Sequence, residues 1–268
     1  MLKISNDLTI LIKTIFRAEA LDILLKSIRN YYPNVKIYIA DDSGRDIDVR
    51  RDVDEYFLLP FDSGISYGRN YLVDKVKTKY FMLLDDDTVF TKYTVIEYAL
   101  AVLEKTKLDL VAGRYYPERF YGLYRIEDNV LNLYYQENKG YLDGFPLYDF
   151  VPNFFIAKTD KLKDIKWDDE LKILEHIDFF WRAREKLKCT HLPFFMAMNS
   201  KTKGCEEYEQ LRRGRRDYFL QLQSKKIENV SKVVHLRTHE KIITDAPVQF
   251  SATDFDYFTS LKGDSLFL

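Results

Sequence analysis

The chain has 268 residues, a formal net charge of −1 and 31% charged residues. This length suffices for one large domain with a sizeable core, and the balanced charge argues against a disordered chain or a general nucleic-acid binder. Two cysteines are too few for a disulfide framework and indicate a reducing compartment. No apolar run approaches the roughly 20 residues that a membrane helix needs. Aromatic residues make up 15% of the chain, which suits a core and also sugar-stacking surfaces.

The first 113 residues alternate between apolar, β-branched stretches and segments with helical spacing. Strands are predicted at 8–15, 36–40, 56–60, 80–84 and 108–112, and helices in the leucine-rich segment that Pro33 closes, at 66–77 and at 93–105. This alternation is typical of an α/β fold whose mostly parallel sheet is covered on both faces. Ligands of such sheets bind beyond the carboxyl ends of the strands.

The second half of the chain has a weaker pattern. Residues 114–150 are rich in tyrosine without a clear period, so we expect irregular strands and loops there. Strand character returns at 151–157, and 175–186 has helical spacing. Beyond residue 227 no element is predicted.

The strongest local signal is the run Asp85-Asp86-Asp87, which directly follows the apolar strand predicted at 80–84. Three carboxylates at the end of a buried strand repel one another unless a cation neutralises them. A hard divalent ion that shares its oxygen ligands with phosphates suits this position. A solvated acidic loop is the alternative that carries no function.

Two enzyme classes place such a motif at a strand end. In aspartate phosphatases of the haloacid dehalogenase type, D-x-D-x-[TV] matches residues 85–89, with Asp85 as nucleophile and Asp87 as acid/base. That motif normally ends the first strand of its domain, whereas here at least two strand–helix units precede it. Nucleotide-sugar transferases of the GT-A fold carry a D-x-D after a nucleotide-binding half, and this order suits the chain better.

Further motifs follow one another along the chain: IKTIFR at 12–17, IADDSG at 39–44, SYGRN at 66–70, TKYFMLLDDDTVF at 78–90, LDLVAG at 108–113, VPNFFIAKTD at 151–160 and EHIDFF at 175–180. In this order they resemble the family 2-like GT-A glycosyltransferases, and particularly the ganglioside-type β-1,4-N-acetylgalactosaminyltransferases. The resemblance implies a Rossmann-like, mostly parallel sheet with flanking helices. It also implies a domain at 1–226, with a nucleotide-binding half at 1–113, an acceptor-binding half at 114–226, and an extension at 227–268.

The resemblance further implies a donor site for a UDP-sugar. Thr14 and Arg17 would border the nucleobase and phosphates, although purely structural roles are almost equally consistent with their position. Asp41 and Asp42 would bind the uracil and ribose.

A helix start would complete the donor site. Gly68 would allow close approach of the backbone, and Arg69 and Asn70 would offer hydrogen-bond donors. For Arg69, a surface ion pair is the alternative.

A divalent metal, Mn²⁺ or Mg²⁺, is implied at the acidic run. Asp87 would hold the metal, Asp85 would meet the metal or the ribose, and Asp86 would belong to the donor site. Asn199 stands where related enzymes often carry a histidine that completes the metal shell. An amide oxygen is a poorer ligand than imidazole for softer ions, which leaves the metal's identity open.

An inverting transfer needs a base that takes the proton of the acceptor hydroxyl. By strict register the position of the usual base is His176, while Asp178 stands where the ganglioside-type enzymes have an acidic residue. We favour Asp178, then His176, with Glu175 as a ligand of the acceptor hydroxyl. An acidic first turn that merely complements the helix dipole is the alternative.

The basic stretch 201–226 has three interpretations. It closes on the donor diphosphate, it touches anionic lipid or an anionic glycan, or it is a solvated helical face.

The resemblance thus leads us to expect an inverting transferase that moves a sugar, best guess N-acetylgalactosamine, from a UDP-sugar to a glycan hydroxyl in surface polysaccharide or lipopolysaccharide synthesis. Alternatives are a glucosyl-, galactosyl- or N-acetylglucosaminyltransferase and, more distantly, a phosphatase or a non-catalytic binding module. Without an evident anchor, the chain is expected in the cytoplasm, with a peripheral position at the inner face of the membrane as the alternative. The expected partners are a UDP-sugar donor and a glycan or glycolipid acceptor. No nucleic-acid partner is expected, and the oligomeric state stays open.

Overall fold

Strands and helices alternate through the first half of the chain. The computed structural model describes residues 4–45, 53–202, 204–228 and 230–236. Its helices are α1 Ile4–Asp7, α2 Ala18–Tyr31, α3 Ile65–Lys75, α4 Ile96–Lys105, α5 Thr159–Leu162, α6 Glu175–Ala183, α7 Glu206–Arg213 and α8 Arg216–Lys226. Within the described ranges, no helix combines the length and the apolar character that crossing a membrane requires.

The strands form one large sheet and two small ones. They are β1 Leu8–Thr14, β2 Lys36–Asp41, β3 Glu55–Leu58, β4 Tyr80–Asp85, β5 Thr88–Phe90, β6 Leu110–Tyr115, β7 Gly122–Glu127, β8 Val130–Tyr135, β9 Tyr141–Leu142, β10 Phe145–Pro146, β11 Phe155–Lys158, β12 Cys189–Asn199 and β13 Lys232–Leu236. The large sheet has eight strands in the order β3-β2-β1-β4-β11-β6-β12-β5. Strands from both predicted halves of the chain therefore share one sheet.

The first four strands of the large sheet run in parallel, as the sequence predicts. β1 pairs in parallel with β2 and with β4, and β2 pairs in parallel with β3. β11 runs antiparallel to both β4 and β6. In this register Thr14 lies beside Asp41, and Lys13 lies beside Asp85. The carboxyl ends of β1, β2 and β4 thus meet at one edge of the sheet, which is where their polar residues collect.

Apolar side chains cover both faces of the sheet. Successive residues of a strand point to opposite faces, so Leu11 and Leu83 belong to one buried cluster and Ile10, Ile12 and Leu84 to the other. Helices α3 and α6 pack against the first cluster, and α2 and α4 pack against the second. Most of the large buried side chains are phenylalanines, namely Phe81, Phe90, Phe150, Phe154, Phe155, Phe179, Phe180 and Phe195. Much of the aromatic content therefore builds the core.

The tyrosine-rich segment is more regular than expected. β7 and β8 form an antiparallel hairpin, and β13 adds a parallel strand to β8, although no element was predicted beyond residue 227. Asp128 and Asn129 connect the hairpin with φ of 50° and 59°, a left-handed conformation that these residue types tolerate in tight turns. The sequence shows no period of two because these strands do not alternate in burial: residues 122–124 of β7 and 131–133 of β8 are all buried. The rest of the predicted extension, residues 237–268, lies outside the described residues.

Gly113 in β6 tests how tightly the sheet is packed. A Cβ added there would lie 2.2 Å from the carbonyl oxygen of Phe195 and 2.4 Å from Cε1 of Phe154. Gly113→Ala is therefore expected to lower the free energy of unfolding by about 1–3 kcal/mol, measured by urea denaturation. Gly214→Ala is the control, because its Cβ meets only the carbonyl oxygen of Gln210 at 3.5 Å. Equal stability of the two variants would contradict this packing.

Candidate active site

A cavity of about 420 Å³ opens at the carboxyl ends of β1, β2 and β4. Many residues singled out from the sequence line it: Thr14, Arg17, Asp42, Arg69, Asp85, Asp86, Asp87, Glu175, His176 and Asn199. Four others do not line it, namely Asp41, Gly68, Asn70 and Asp178. The sheet edge thus brings most of the predicted residues together, from elements far apart in sequence.

The acidic turn after β4 is held by residues from the end of β1. Arg17 donates from Nη1 to Oδ1 of Asp86 over 2.8 Å, and from Nη2 to Oδ2 of Asp87 over 3.0 Å. The hydroxyl of Thr14 donates to Oδ2 of Asp86 over 2.7 Å. Thr14 and Arg17 therefore position the acidic turn in this structure, whatever further contacts they make with a ligand.

The acidic turn nevertheless remains short of positive charge. Burial raises the pKa of Asp85 to about 7, since the attraction of Arg69 does not offset it and Asp87 and Glu175 repel the charge. Burial likewise raises the pKa of Asp86 to about 6, against the attraction of Arg17. Because the ionised carboxylates are disfavoured, an added cation would stabilise this end of β4.

The predicted metal ligands fit a shared ion better than a closed metal site. Asp87, whose side chain is 19% exposed, and Asn199 line the same cavity, whereas Asp85 accepts a hydrogen bond from Arg69 over 2.8 Å. No group of three His, Cys, Asp or Glu side chains in the described part of the chain is arranged to hold a metal. Ions such as Mg²⁺ in nucleotide sites commonly take one or two carboxylates together with phosphate oxygens. The donor set around Asp87 is consistent with that arrangement.

Arg69 lines the cavity, but both of its Nη atoms bind carboxylates of the protein. The residue is 1% exposed; Nη1 pairs with Oε1 of Glu175, and Nη2 donates to Oδ1 of Asp85. Burial alone would raise the pKa of Glu175, but the positive charge of Arg69 brings it below its usual value. Arg69 therefore ties the end of β4 to the start of α6.

Gly68 accommodates a protein side chain rather than a ligand. A Cβ added there would lie 2.3 Å from Cδ of Lys13. The ammonium group of Lys13 pairs with Oδ1 of Asp42 and donates to the carbonyl oxygen of Thr14 over 2.9 Å. Oδ2 of Asp42 accepts from the backbone nitrogen of Gly64 over 2.8 Å. The absence of a side chain at Gly68 thus lets Lys13 reach Asp42 on the cavity wall.

Asp41 and Asn70 also have structural partners. Asp41 is fully buried and accepts hydrogen bonds from the backbone of Ser43 over 2.8 Å and from the hydroxyl of Tyr56 over 2.7 Å. Asn70 donates to the carbonyl oxygen of Trp167 over 2.8 Å and accepts from its backbone nitrogen over 2.9 Å. Of the pair after β2, only Asp42 lines the cavity.

The first turn of α6 presents Glu175 and His176 to the cavity, and Asp178 does not line it. Oδ2 of Asp178 accepts from Nε and Nη2 of Arg182 over 2.9 and 2.7 Å. This placement speaks against our preference for Asp178 as the base. Leu174 precedes the helix with φ of 63°, and this left-handed residue sets how the helix starts.

Helices α7 and α8 and the turn between them contribute to one wall of the cavity. The residues are Tyr208, Leu211 and Arg212 of α7, Arg215 of the turn and Phe219 of α8. Arg215 and Lys172 both pair with Oδ2 of Asp62, over 2.5 and 3.0 Å. Arg213, by contrast, is exposed and pairs with Glu209 one helical turn earlier. The basic stretch therefore divides, with some of its charges at the cavity and others on the solvent side.

Sequence reasoning missed several residues at the cavity. Lys13 and Asn153 carried a local signal, because each is a polar residue within an otherwise apolar segment. Asp62, Lys172 and Tyr208 carried none, since only the fold brings them to the cavity.

The comparisons with known proteins agree with the motifs. The model of the family "Glycosyl transferase family 2" matches residues 9–166, more than half of the chain. Beta-1,4 N-acetylgalactosaminyltransferase 2 of Mus musculus is 40% identical over 184 residues, which cover 66% of this chain and 36% of the relative. Beta-1,4 N-acetylgalactosaminyltransferase 1 of Homo sapiens is 38% identical over 190 residues with the same coverage. The matched region spans about a third of the length of these relatives.

Solved structures share the arrangement at low sequence identity. Residues 1–349 of S. aureus TarS, in complex with UDP-GlcNAc, align with a TM-score of 0.59 and 17% identity over 84% of this chain and 67% of that TarS segment. The mannosyltransferase PcManGT of Pyrobaculum calidifontis, in complex with GDP-Man and Mn²⁺, aligns with a TM-score of 0.55 and 12% identity over 84% of this chain and 65% of that protein. At such identities the likeness establishes the fold.

The bridge made by Arg69 yields a stability prediction. Glu175→Leu leaves a buried guanidinium with one carboxylate fewer, so we expect the free energy of unfolding to fall by about 3 kcal/mol or more in urea denaturation. Adding Arg69→Met to this variant is expected to restore part of the loss, because the unpaired charge is removed as well.

The control for this prediction is an exposed ion pair. Asp22→Asn removes the surface partner of Lys26 and is expected to cost less than about 0.5 kcal/mol. A Glu175→Leu variant as stable as this control would contradict the bridging role of Arg69.

Proposed function

This chain belongs to glycosyl transferase family 2 and has the GT-A fold, and we propose that it transfers a sugar from a UDP-sugar to a hydroxyl group of a glycan. The observation that carries the proposal is the cavity at the carboxyl ends of β1, β2 and β4, where an acidic turn and several cations line one space. The identity with β-1,4-N-acetylgalactosaminyltransferases supports N-acetylgalactosamine as the donor sugar. Glucose, galactose and N-acetylglucosamine are the alternatives.

The residues proposed to bind the UDP-sugar include both cationic and anionic side chains. Arg212, Arg215 and Lys172 offer cationic donors to the diphosphate. Asp42 and Thr14 lie at the ends of β2 and β1, and we assign the uracil and ribose to this part of the cavity. The cations at the wall formed by α7 and α8 then face the phosphates.

A divalent ion, Mn²⁺ or Mg²⁺, is proposed at Asp87, with Asp85 and Asn199 nearby on the same cavity. When bound, it would offset the negative charge that develops on the departing nucleoside diphosphate. Arg17 holds Asp87 and Asp86 in place through its two ion pairs.

On the acceptor side, we propose a single displacement with inversion at the anomeric carbon. The acceptor hydroxyl needs a group that takes its proton, and Glu175 and His176 are the residues of α6 that line the cavity.

We further propose that the acceptor belongs to a surface polysaccharide or lipopolysaccharide. Peripheral contact of 201–226 with a membrane stays a separate proposal.

The test is a panel of UDP-sugars with Mn²⁺ or Mg²⁺, scored for UDP release with and without glycan acceptors. We expect the fastest release from UDP-N-acetylgalactosamine. We expect Asp87→Asn to lower the rate by about 10²-fold, because the variant holds less well the ion that would offset charge on the leaving group. Asp22→Asn, on the exposed face of α2, serves as the matched control.

Other outcomes of the panel would favour other functions. Hydrolysis of a phosphate ester that disappears in Asp85→Asn would indicate a phosphatase. Binding of UDP without release from any UDP-sugar would indicate a binding module. If neither UDP nor a UDP-sugar binds, the proposal fails.

The raised pKa values of Asp85 and Asp86 predict how metal binding depends on pH. Protonation of these carboxyls stabilises the metal-free fold below about pH 4, and that contribution is lost as pH rises through about 6–7. We therefore expect Mg²⁺ to raise the melting temperature more at pH 8 than at pH 5, measured against EDTA. The shift at pH 8 should shrink in Asp87→Asn. An equal shift at both pH values would contradict the prediction.

A further inference from the structure

His176 has a defined orientation at the start of α6. It lines the cavity, and its imidazole packs edge-on against Phe120 and Phe180, with ring centroids 4.9 Å apart in both cases. These two rings restrict how the imidazole turns. The position of each ring nitrogen is therefore set by the protein.

Asn153 determines which nitrogen of His176 carries the proton. Nδ1 of His176 lies 2.5 Å from Oδ1 of Asn153, and Nδ2 of Asn153 donates to Oε1 of Glu175 over 3.4 Å. The carboxylate of Glu175 can only accept, so the amide nitrogen must face it and the amide oxygen must face the imidazole. Because an amide oxygen only accepts, Nδ1 carries the hydrogen. Nε2 then holds the lone pair.

Nε2 is a buried acceptor without a protein donor. Among the described residues it has no hydrogen-bond partner, and a buried polar atom of this kind calls for a functional or ligand explanation. Burial lowers the pKa of His176 to about 4, with Glu175 and the backbone of Val151 acting against the shift and Arg69 adding to it. The imidazole is therefore neutral at pH 7. Once the side chains that cover Nε2 shift to admit it, a hydroxyl group of a bound acceptor would supply the missing donor.

The other acidic residues of α6 suit this role less well. Glu175 pairs with the buried guanidinium of Arg69, so its carboxylate is already engaged within the protein. Asp178 is paired with Arg182 and does not line the cavity. His176 is the group of this helix that combines a place at the cavity with an unused acceptor.

We infer that Asn153 is a positioning residue that holds His176 in the Nδ1–H form, so that Nε2 takes the proton of the acceptor hydroxyl. The inference rests on the proposed function. In the step, the acceptor O–H bond breaks and its proton passes to Nε2. The acceptor oxygen bonds to the anomeric carbon, and the bond from that carbon to the diphosphate breaks with its electron pair leaving on UDP. The resulting imidazolium keeps its Nδ1–H contact with Asn153.

The tautomer is tested directly by ¹⁵N NMR of the full chain labelled at histidine side chains. The chain has four histidines, and the signal of His176 is assigned by its loss in His176→Gln. We expect a neutral Nδ1–H imidazole at pH 7 with a titration midpoint below pH 5. Asn153→Leu should increase the Nε2–H form, whereas Asn153→Asp should keep Nδ1–H and raise the midpoint. An Nε2–H tautomer or an imidazolium in the unmodified protein at pH 7 would overturn the inference.

The role in turnover is tested by UDP release from UDP-N-acetylgalactosamine. We expect kcat to fall about 10²-fold in His176→Gln and at least 10-fold in Asn153→Leu, with little change in KM for the donor. In Asn153→Asp, kcat should recover and the acidic limb of its pH profile should move to higher pH. A structural defect would not produce that pH shift.

The outcomes separate the inference from the function on which it rests. If no UDP-sugar is turned over, the proposed function fails while the NMR result still decides the tautomer. If turnover occurs and survives both His176→Gln and Asn153→Leu, the inference is wrong and the function stands. Loss of turnover in Asp178→Asn, with His176→Gln active, would return the base to Asp178.

Discussion

The guanidinium of Arg69 is the contact on which the site depends. It is almost completely buried between Asp85, at the end of β4, and Glu175, at the start of α6. A buried cation is tolerated only when carboxylates are held against it, so α3, β4 and α6 must assemble together. As a result, the acidic turn and the first turn of α6 line a single cavity. The residues proposed to act on the leaving nucleoside diphosphate and those proposed to act on the acceptor hydroxyl thus line the same cavity.

The other charges at the cavity are arranged in similar pairs. Lys13 pairs with Asp42, Arg17 with Asp86 and Asp87, and Arg215 with Asp62. A diphosphate that binds these cations therefore competes with carboxylates that already hold them. The burial-raised pKa values of Asp85 and Asp86 indicate that the neighbouring cations do not fully offset the charge of the acidic turn. A divalent cation is most strongly favoured there.

Much of the fold was predictable from the sequence, and the errors have identifiable causes. Strands β1, β2 and β4 were predicted because each is a run of apolar residues. This pattern depends on neighbouring residues and not on distant contacts. The hairpin of β7 and β8 was missed because each of its strands has three consecutive buried residues in place of an alternation of buried and exposed positions. Within the site, Asp178 was preferred because it stands where the ganglioside-type enzymes have an acidic residue, yet it pairs with Arg182 one helical turn later and does not line the cavity. The face of a helix that meets a cavity depends on packing, which a motif does not encode.

The sequence by itself determined that acidic and polar residues follow the strands of a parallel sheet, because strand period and strand ends are local properties of the chain. It also determined the family, through motifs in a fixed order. Only the tertiary structure decided which of those residues face the cavity. The bond between Arg69 and Glu175 joins residues 106 positions apart, and the contact of Asn153 with His176 spans 23. Such pairings follow from the packing of whole elements, which becomes defined only when the sheet and its helices come together.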